Sequence, residues 1–87
     1  VVVQADQLQS AGTMLVCLFT SDTDKMSETR MLLKPQVANG LKRPSLIQAE
    51  KIYPIPRAKF GAGIGALTEE QMTRLDSLLA FVLGLGD

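Results

Sequence analysis

The sequence predicts a mainly β fold, a small barrel or sandwich closed by a C-terminal α-helix. Short apolar segments are separated by turn-forming residues, strands do not alternate with helices, and one strong helix signal stands near the end of the chain. The 87 residues allow a single domain, 1–87. A core of that size is small, so oligomerisation would help to stabilise it.

Four segments are predicted to be strands. Val1–Val3 is a β-branched run typical of a buried strand. The continuously apolar Thr13–Phe19 is typical of a central strand. Thr29–Lys34 and Ser45–Ile55 follow, and Pro54 limits the far half of the second to an edge or a bend.

The connections are predicted from polar residues, proline and glycine. They comprise a helical turn at Ala5–Ser10, a polar loop at Thr20–Ser27, a turn at Asn39-Gly40, a proline-initiated helical turn at Pro56–Phe60, and a final strand or close-packed connection at Gly61–Leu67.

The last helix is the clearest element. Thr68 is a suitable N-cap, Gln71 completes a capping box, and Gly84 is a natural stop. Its apolar surface is broad, so the helix must either be deeply buried in the fold or be covered by a partner chain. The apolar positions are Met72, Leu75, Leu78, Leu79, Phe81, Val82, Leu83 and Leu85.

Composition excludes several classes of function. The sequence contains no His and a single cysteine, Cys17, which excludes a disulfide framework and argues strongly against a zinc site. Cys17 lies in an apolar strand, so we expect a buried, inert thiol, and we expect no metal or cofactor. No apolar stretch reaches the roughly 18 residues of a membrane span, and no signal peptide is recognisable. We expect a cytoplasmic protein.

Charge is balanced overall but unevenly distributed. Nine basic residues match nine acidic ones, so net charge does not indicate a nucleic-acid binder. The middle of the chain is nevertheless basic, with Glu50 as its only acid. A local basic face and an ordinary solvated surface are both compatible with this cluster, which comprises Lys34, Lys42, Arg43, Lys51, Arg57 and Lys59.

Four motifs, in this order, resemble the MazF/PemK toxin family. They are VVVQ at Val1–Gln4, an apolar strand ending in Thr20-Ser21, NGLKRPSLIQAEKI at Asn39–Ile52, and IGALTEEQMTRLDSLLAFVLGL at Ile64–Leu85. Each motif alone is weakly specific, but the ordered set spans nearly the whole chain. The resemblance implies an SH3-like small barrel of the CcdB/MazF/PemK type.

The resemblance also implies a sequence-specific endoribonuclease, the toxin of a type II toxin–antitoxin system. Such a toxin cleaves single-stranded RNA without metal, by attack of the 2′-hydroxyl on the adjacent phosphate. This chemistry requires a base, an acid and donors to the phosphate. The implied partners are single-stranded mRNA, a cognate antitoxin and a second copy of the chain, while no membrane is involved.

Three residues match catalytic positions of the family. Thr20 is expected to donate its hydroxyl to the scissile phosphate, with Ser21 as a second donor. The alternative for Thr20 is a local cap of the following loop. Glu50 falls where some members have a proposed general base. The alternative for Glu50 is an ion pair with Lys51 or Arg43.

Four further residues are expected to bind RNA. Gln48 shares a strand face with Glu50, because side chains alternate along a strand, and it could orient a phosphate or base. Lys42 and Arg43 supply positive charge. Tyr53 is the candidate for base stacking, although an ordinary edge-strand tyrosine is the favoured interpretation. Phe19 and Phe81 are expected in the core.

The N-terminus of the sequence departs from the family pattern. The family's principal catalytic Arg stands in an Arg-Pro pair directly before its Val-rich strand, whereas this sequence starts at Val1. We therefore expect an N-terminally incomplete domain, weakly active unless residues before Val1 supply that Arg. The alternative functions are a non-catalytic, CcdB-like protein-binding toxin or a degenerate family member. An SH3-like peptide-binding domain is disfavoured because the chain has one tyrosine and no tryptophan.

Overall fold

The computed structural model describes residues 1–3, 12–60, 63 and 65–85. The helical turn predicted at Ala5–Ser10 lies outside these residues. The described elements are β1 (Thr13–Thr20), β2 (Arg30–Leu33), β3 (Ser45–Pro56), α1 (Glu69–Leu83) and two short 3₁₀ turns, Thr23–Lys25 and Arg57–Lys59.

The three strands form one antiparallel sheet in the order β1-β3-β2. The prediction of a mainly β fold with a C-terminal helix is confirmed. Within the described residues the sheet is open rather than closed into a barrel. Among the described helices, none combines the length and hydropathy that a bilayer crossing requires.

The central strand is β3, so the prediction of a central strand at Thr13–Phe19 was wrong. An apolar run does not distinguish burial by neighbouring strands from burial by a helix on one face. Among the described residues, only Val1–Val3 cover the outer edge of β1. Val3 N–H donates to the Leu15 carbonyl at 2.9 Å and Cys17 N–H donates to the Val1 carbonyl at 2.8 Å. This segment makes a single bridge and leaves Val2 41% exposed, so it is not the buried strand that was predicted.

A register irregularity divides β3 into two halves. Cys17 lies opposite Ile52, whereas the next residue, Leu18, lies opposite Gln48. Strand β2 pairs only with the first half, Ser45 to Gln48. Among the described strands, β1 alone pairs with the far half, in agreement with the edge character predicted from Pro54.

Helix α1 covers one face of the sheet. Its fully buried residue, Leu75, packs into a core cluster with Met31 and Ile47. Both predicted helix ends are confirmed. The Thr68 hydroxyl accepts from the Gln71 N–H at 3.1 Å while the Gln71 side chain accepts from the Thr68 N–H at 2.9 Å. The helix ends at Gly84, whose φ of 71° is the left-handed conformation that glycine adopts readily.

Two aromatic residues expected in the core are exposed. Phe19 is 39% exposed at the margin of the helix-covered face, and Phe81 is 54% exposed on the outer side of α1. The helix is apolar over more surface than this sheet can cover. Apolar helix positions alone therefore did not identify which residues are buried.

The connection before the helix packs closely against the turn at Asn39-Gly40. Ala66 N–H donates to the Ala38 carbonyl at 2.7 Å. A Cβ on Gly65 would stand 2.5 Å from the same oxygen, so glycine is required by this close approach. The described part of Gly61–Leu67 is thus the close-packed connection rather than a strand.

Candidate active site

The sheet has a helix-covered face and an opposite face on which candidate site residues lie. Directly paired residues of antiparallel strands project to the same face. Thr20 pairs with Leu46, and both Leu18 and Arg30 pair with Gln48. These residues alternate with Ile47 and Met31 of the core cluster, so they project away from α1.

Thr20 ends β1 and bonds to the loop that follows it. Its Oγ1 accepts a hydrogen bond from the Asp22 N–H at 3.2 Å. This is the local cap that the sequence left open as an alternative. A hydroxyl that accepts one bond retains its own proton to donate, so capping does not exclude a second partner. Thr20 is half-buried, and Ser21 beside it is exposed.

Glu50 is held by two neighbouring residues at the start of β2. Arg30 donates from Nη2 to Oε2 at 2.7 Å and from Nε at 3.1 Å, while the Thr29 hydroxyl donates to Oε1 at 2.9 Å. The ion-pair partner is therefore Arg30, and the expected alternatives Lys51 and Arg43 were wrong.

These contacts determine the protonation state of Glu50. Hydrogen bonding from the Arg30 guanidinium, with a smaller contribution from the Thr29 hydroxyl, lowers the pKa of the carboxyl from 4.5 to about 2. The group is ionised at neutral pH and has a low affinity for a proton. In this arrangement it is a weak base.

The candidate residues Thr20 and Glu50 share a face but are not adjacent. Thr20 stands opposite Leu46, and four residues of rise separate Leu46 from Glu50, about 13 Å along β3. Hydrogen bonds span about 3 Å, so the two side chains do not reach a common atom.

The remaining predicted contacts differ in their accessibility. Gln48 is only 6% exposed, so its side chain presents little surface to RNA, and its RNA-binding role stays a prediction that this burial disfavours. Tyr53 is 48% exposed on the far half of β3, opposite Val16. Its ring is accessible for stacking.

The central basic residues do not form one patch. Lys42 and Arg43 are exposed and precede β3, at the end where Thr20 pairs. Arg57 and Lys59 follow the opposite end of β3, twelve residues away in strand length. Lys42 and Arg43 therefore supply positive charge at the Thr20 end of the sheet, while Arg57 and Lys59 lie at the other end.

Sequence reasoning missed Arg30 as a site residue. It was treated as part of the strand at Thr29–Lys34 and not as a partner of Glu50. A signal was available: folding the two neighbouring strands together about the Asn39-Gly40 turn brings Arg30 close to Gln48 and Glu50. Only the register in the structure turns that approximate placement into an ion pair.

Cys17 lies in the core cluster on the helix-covered face, away from the candidate site. The thiol is buried, and burial raises its pKa above the ordinary value, as expected for an inert cysteine. Within the part of the chain that the structure describes, no three His, Cys, Asp or Glu side chains form a group that could hold a metal ion.

Several solved structures with this fold are toxins or endoribonucleases from mycobacteria. The Mycobacterium tuberculosis toxin MazF-mt6 superimposes with a TM-score of 0.84 at 20% identity, covering 99% of this chain and 85% of the toxin. An endoribonuclease from a mycobacterial species, solved with its cognate antitoxin, gives a TM-score of 0.82 at 20% identity, covering 99% and 80%. At these identities the similarity defines the fold, which is that of the MazF-like toxins.

Sequence comparison defines the family. The probable endoribonuclease MazF of Mycolicibacterium smegmatis is 27% identical over 84 residues, covering 97% of this chain and 77% of that protein. The profile of the PemK-like, MazF-like toxins of type II toxin–antitoxin systems matches residues 1–83. The chain belongs to this family, and the resemblance predicted from the four motifs is confirmed.

Proposed function

We propose that this toxin is a sequence-specific endoribonuclease that cleaves single-stranded RNA, mRNA included, without a metal ion. The observation that carries the proposal is the match, over 97% of this chain and 77% of the relative, with a probable endoribonuclease MazF. The face of the sheet opposite α1, with Thr20 at one end, is the surface on which we propose that RNA binds.

The proposed reaction uses the substrate's own nucleophile. The 2′-oxygen forms a bond to phosphorus while the bond to the 5′-oxygen breaks, leaving a 2′,3′-cyclic phosphate and a 5′-hydroxyl. The 2′-proton is lost to a base and the leaving oxygen gains a proton. Charge accumulates on the non-bridging oxygens, where hydrogen-bond donors have their largest effect.

Thr20 and Ser21 are the proposed donors to that phosphate. Thr20 lies at a strand end on the face opposite α1, and its hydroxyl can donate while accepting from Asp22. Lys42 and Arg43 lie at the same end of the sheet and supply the positive charge that a phosphate requires. Support for a substrate at this end therefore comes from both hydrogen bonding and charge.

The proposed partners are a cognate antitoxin and a second copy of the chain. A structure of the same fold contains an endoribonuclease with its cognate antitoxin. The outer surface of α1 leaves Phe81 54% and Leu83 57% exposed, which favours a protein contact there. Because mRNA is translated in the cytoplasm, we propose that the toxin acts in that compartment.

RNA cleavage by the full-length protein, with any residues encoded before Val1, tests the proposal. Single-stranded RNA incubated with the protein in EDTA is expected to yield fragments ending in 2′,3′-cyclic phosphate and 5′-hydroxyl groups. DNA of the same sequence lacks the nucleophile and should remain intact. If the RNA stays intact while the protein still arrests growth, the CcdB-like, protein-binding alternative is favoured and the nuclease proposal is wrong.

A further inference from the structure

The Glu50 carboxylate is one end of a series of hydrogen bonds that leads to the Thr20 hydroxyl. Arg30 binds Glu50 through Nη2 and Nε. Its remaining nitrogen, Nη1, donates to the backbone carbonyl of Lys25 at 2.9 Å. The guanidinium therefore joins strand β3 to the 3₁₀ turn Thr23–Lys25.

That turn is bonded to the end of β1. Lys25 N–H donates to the Asp22 carbonyl at 3.1 Å, and Asp22 N–H donates to Thr20 Oγ1 at 3.2 Å. The Asp22 side chain also accepts from the Asp24 N–H at 3.2 Å, which fixes the start of the turn. Glu50 and Thr20 are thus about 13 Å apart along β3 but connected through one short loop.

Little apolar burial holds this loop. Residues 21–28 are all exposed, and the 3₁₀ turn contains no buried residue. Segments with few buried apolar contacts open locally at a low free-energy cost. The polar contacts from Arg30 are therefore important for the position of the loop at residues 21–28 and of the Thr20 hydroxyl bonded to it.

We propose that Glu50 is a positioning residue, which holds Arg30 against the Lys25 carbonyl so that the loop orients the Thr20 hydroxyl toward the scissile phosphate. The inference rests on the proposed RNA cleavage and replaces the general-base role implied by family resemblance. Three N–H or O–H groups of Thr29 and Arg30 already donate to the carboxylate. A carboxylate has about four acceptor positions, so these three donors leave one position for a 2′-hydroxyl that would transfer its proton to Glu50.

Steady-state kinetics of the full-length toxin distinguish positioning from proton transfer. Glu50→Gln and Arg30→Gln should each lower kcat by about tenfold to a hundredfold, as small misplacements of a reacting group do, with little change in KM. The double variant should be no slower than either single variant. Glu28→Gln removes a carboxylate from the same loop and serves as the matched control, with unchanged kcat.

A double-mutant cycle with Thr20 tests whether Glu50 affects kcat through the Thr20 hydroxyl. In a Thr20→Val background, Glu50→Gln should lower kcat less than twofold, because the hydroxyl that it positions is gone. Amide hydrogen exchange at Asp22 and Lys25 should accelerate in both Glu50→Gln and Arg30→Gln. The pH profile of kcat in Arg30→Gln should keep the wild-type shape.

Different outcomes overturn different statements. If Arg30→Gln keeps wild-type kcat while Glu50→Gln loses activity, or if the pH profile of Arg30→Gln shifts with the Glu50 pKa, Glu50 is a base and the inference is wrong. Unchanged exchange at Asp22 and Lys25 also overturns it. A full-length wild-type protein that fails to cleave RNA refutes the proposed function, and this inference with it.

Discussion

Replacing Arg30 with Gln should raise the pKa of Glu50. The guanidinium supplies the largest contribution to the lowered value of about 2, and the Thr29 hydroxyl supplies a smaller one. The Glu50 pKa in Arg30→Gln should therefore move most of the way back toward 4.5. At pH 3 the wild-type carboxyl, with a pKa of about 2, is about 90% ionised, whereas the carboxyl in the variant should be mostly protonated.

The same pKa difference makes stability depend on pH. The folded-state pKa lies below the unfolded value, so the contribution to stability is complete above pH 4.5 and is lost as pH falls toward 2. A fully shielded pair with this difference would contribute about 3 kcal/mol. The Glu50 side chain is 30% exposed, and solvent screening reduces the expected contribution to about 1 kcal/mol.

Two measurements check this prediction. A ¹³C NMR titration of the Glu50 carboxyl gives its pKa in wild type and in Arg30→Gln, with Glu28→Gln as the control. Urea unfolding at pH 6 and pH 3 should give a free energy that decreases less with acid in Arg30→Gln than in wild type. A wild-type Glu50 pKa near 4.5, or one unchanged by the substitution, would refute the assigned ion pair.

Three further predictions concern the scaffold. Leu75→Ala should lower the free energy of unfolding in urea by about 2–5 kcal/mol, because the side chain is fully buried. Leu83→Ala, at a 57% exposed position, is the control and should change that free energy little. Gly65→Ala should destabilise the folded protein by about 1–3 kcal/mol, because the new Cβ would clash with the backbone of Ala38 and Asn39. Gly12→Ala, whose Cβ meets no described atom within 4 Å, is the control and should leave the thermal unfolding temperature nearly unchanged. Thr68→Ala should cost about 1 kcal/mol by loss of the capping box, seen as helix fraying in amide exchange.

Local signals in the sequence were sufficient to predict the helix ends and the Asn39-Gly40 turn. The capping box at Thr68 and the glycine at Gly84 fix the helix ends through bonds between near neighbours, so sequence reasoning found both. The Asn39-Gly40 turn was found for the same reason. The limits of the strands Ser45–Pro56 and Arg30–Leu33 agreed with prediction to within one residue at each end.

Long-range relations were harder to predict. Strand order and the covered face depend on how separate segments pair, which is why Thr13–Phe19 was predicted as a central strand and Phe19 and Phe81 as core. The partner of Glu50 depends on the β2–β3 register, so Lys51 and Arg43 were considered and Arg30 was not. The burial of Gln48 likewise follows from its place on the central strand.

The Thr20 hydroxyl offers the most direct test of the proposed site. Single-turnover RNA cleavage by the full-length toxin should be slower by a factor of about 10² to 10³ in Thr20→Val, which removes one donor to the developing charge. Thr20→Ser, which retains the hydroxyl, should remain close to wild type. Cleavage by Thr20→Val at the wild-type rate, with its fold intact, would contradict an active site at this end of the sheet.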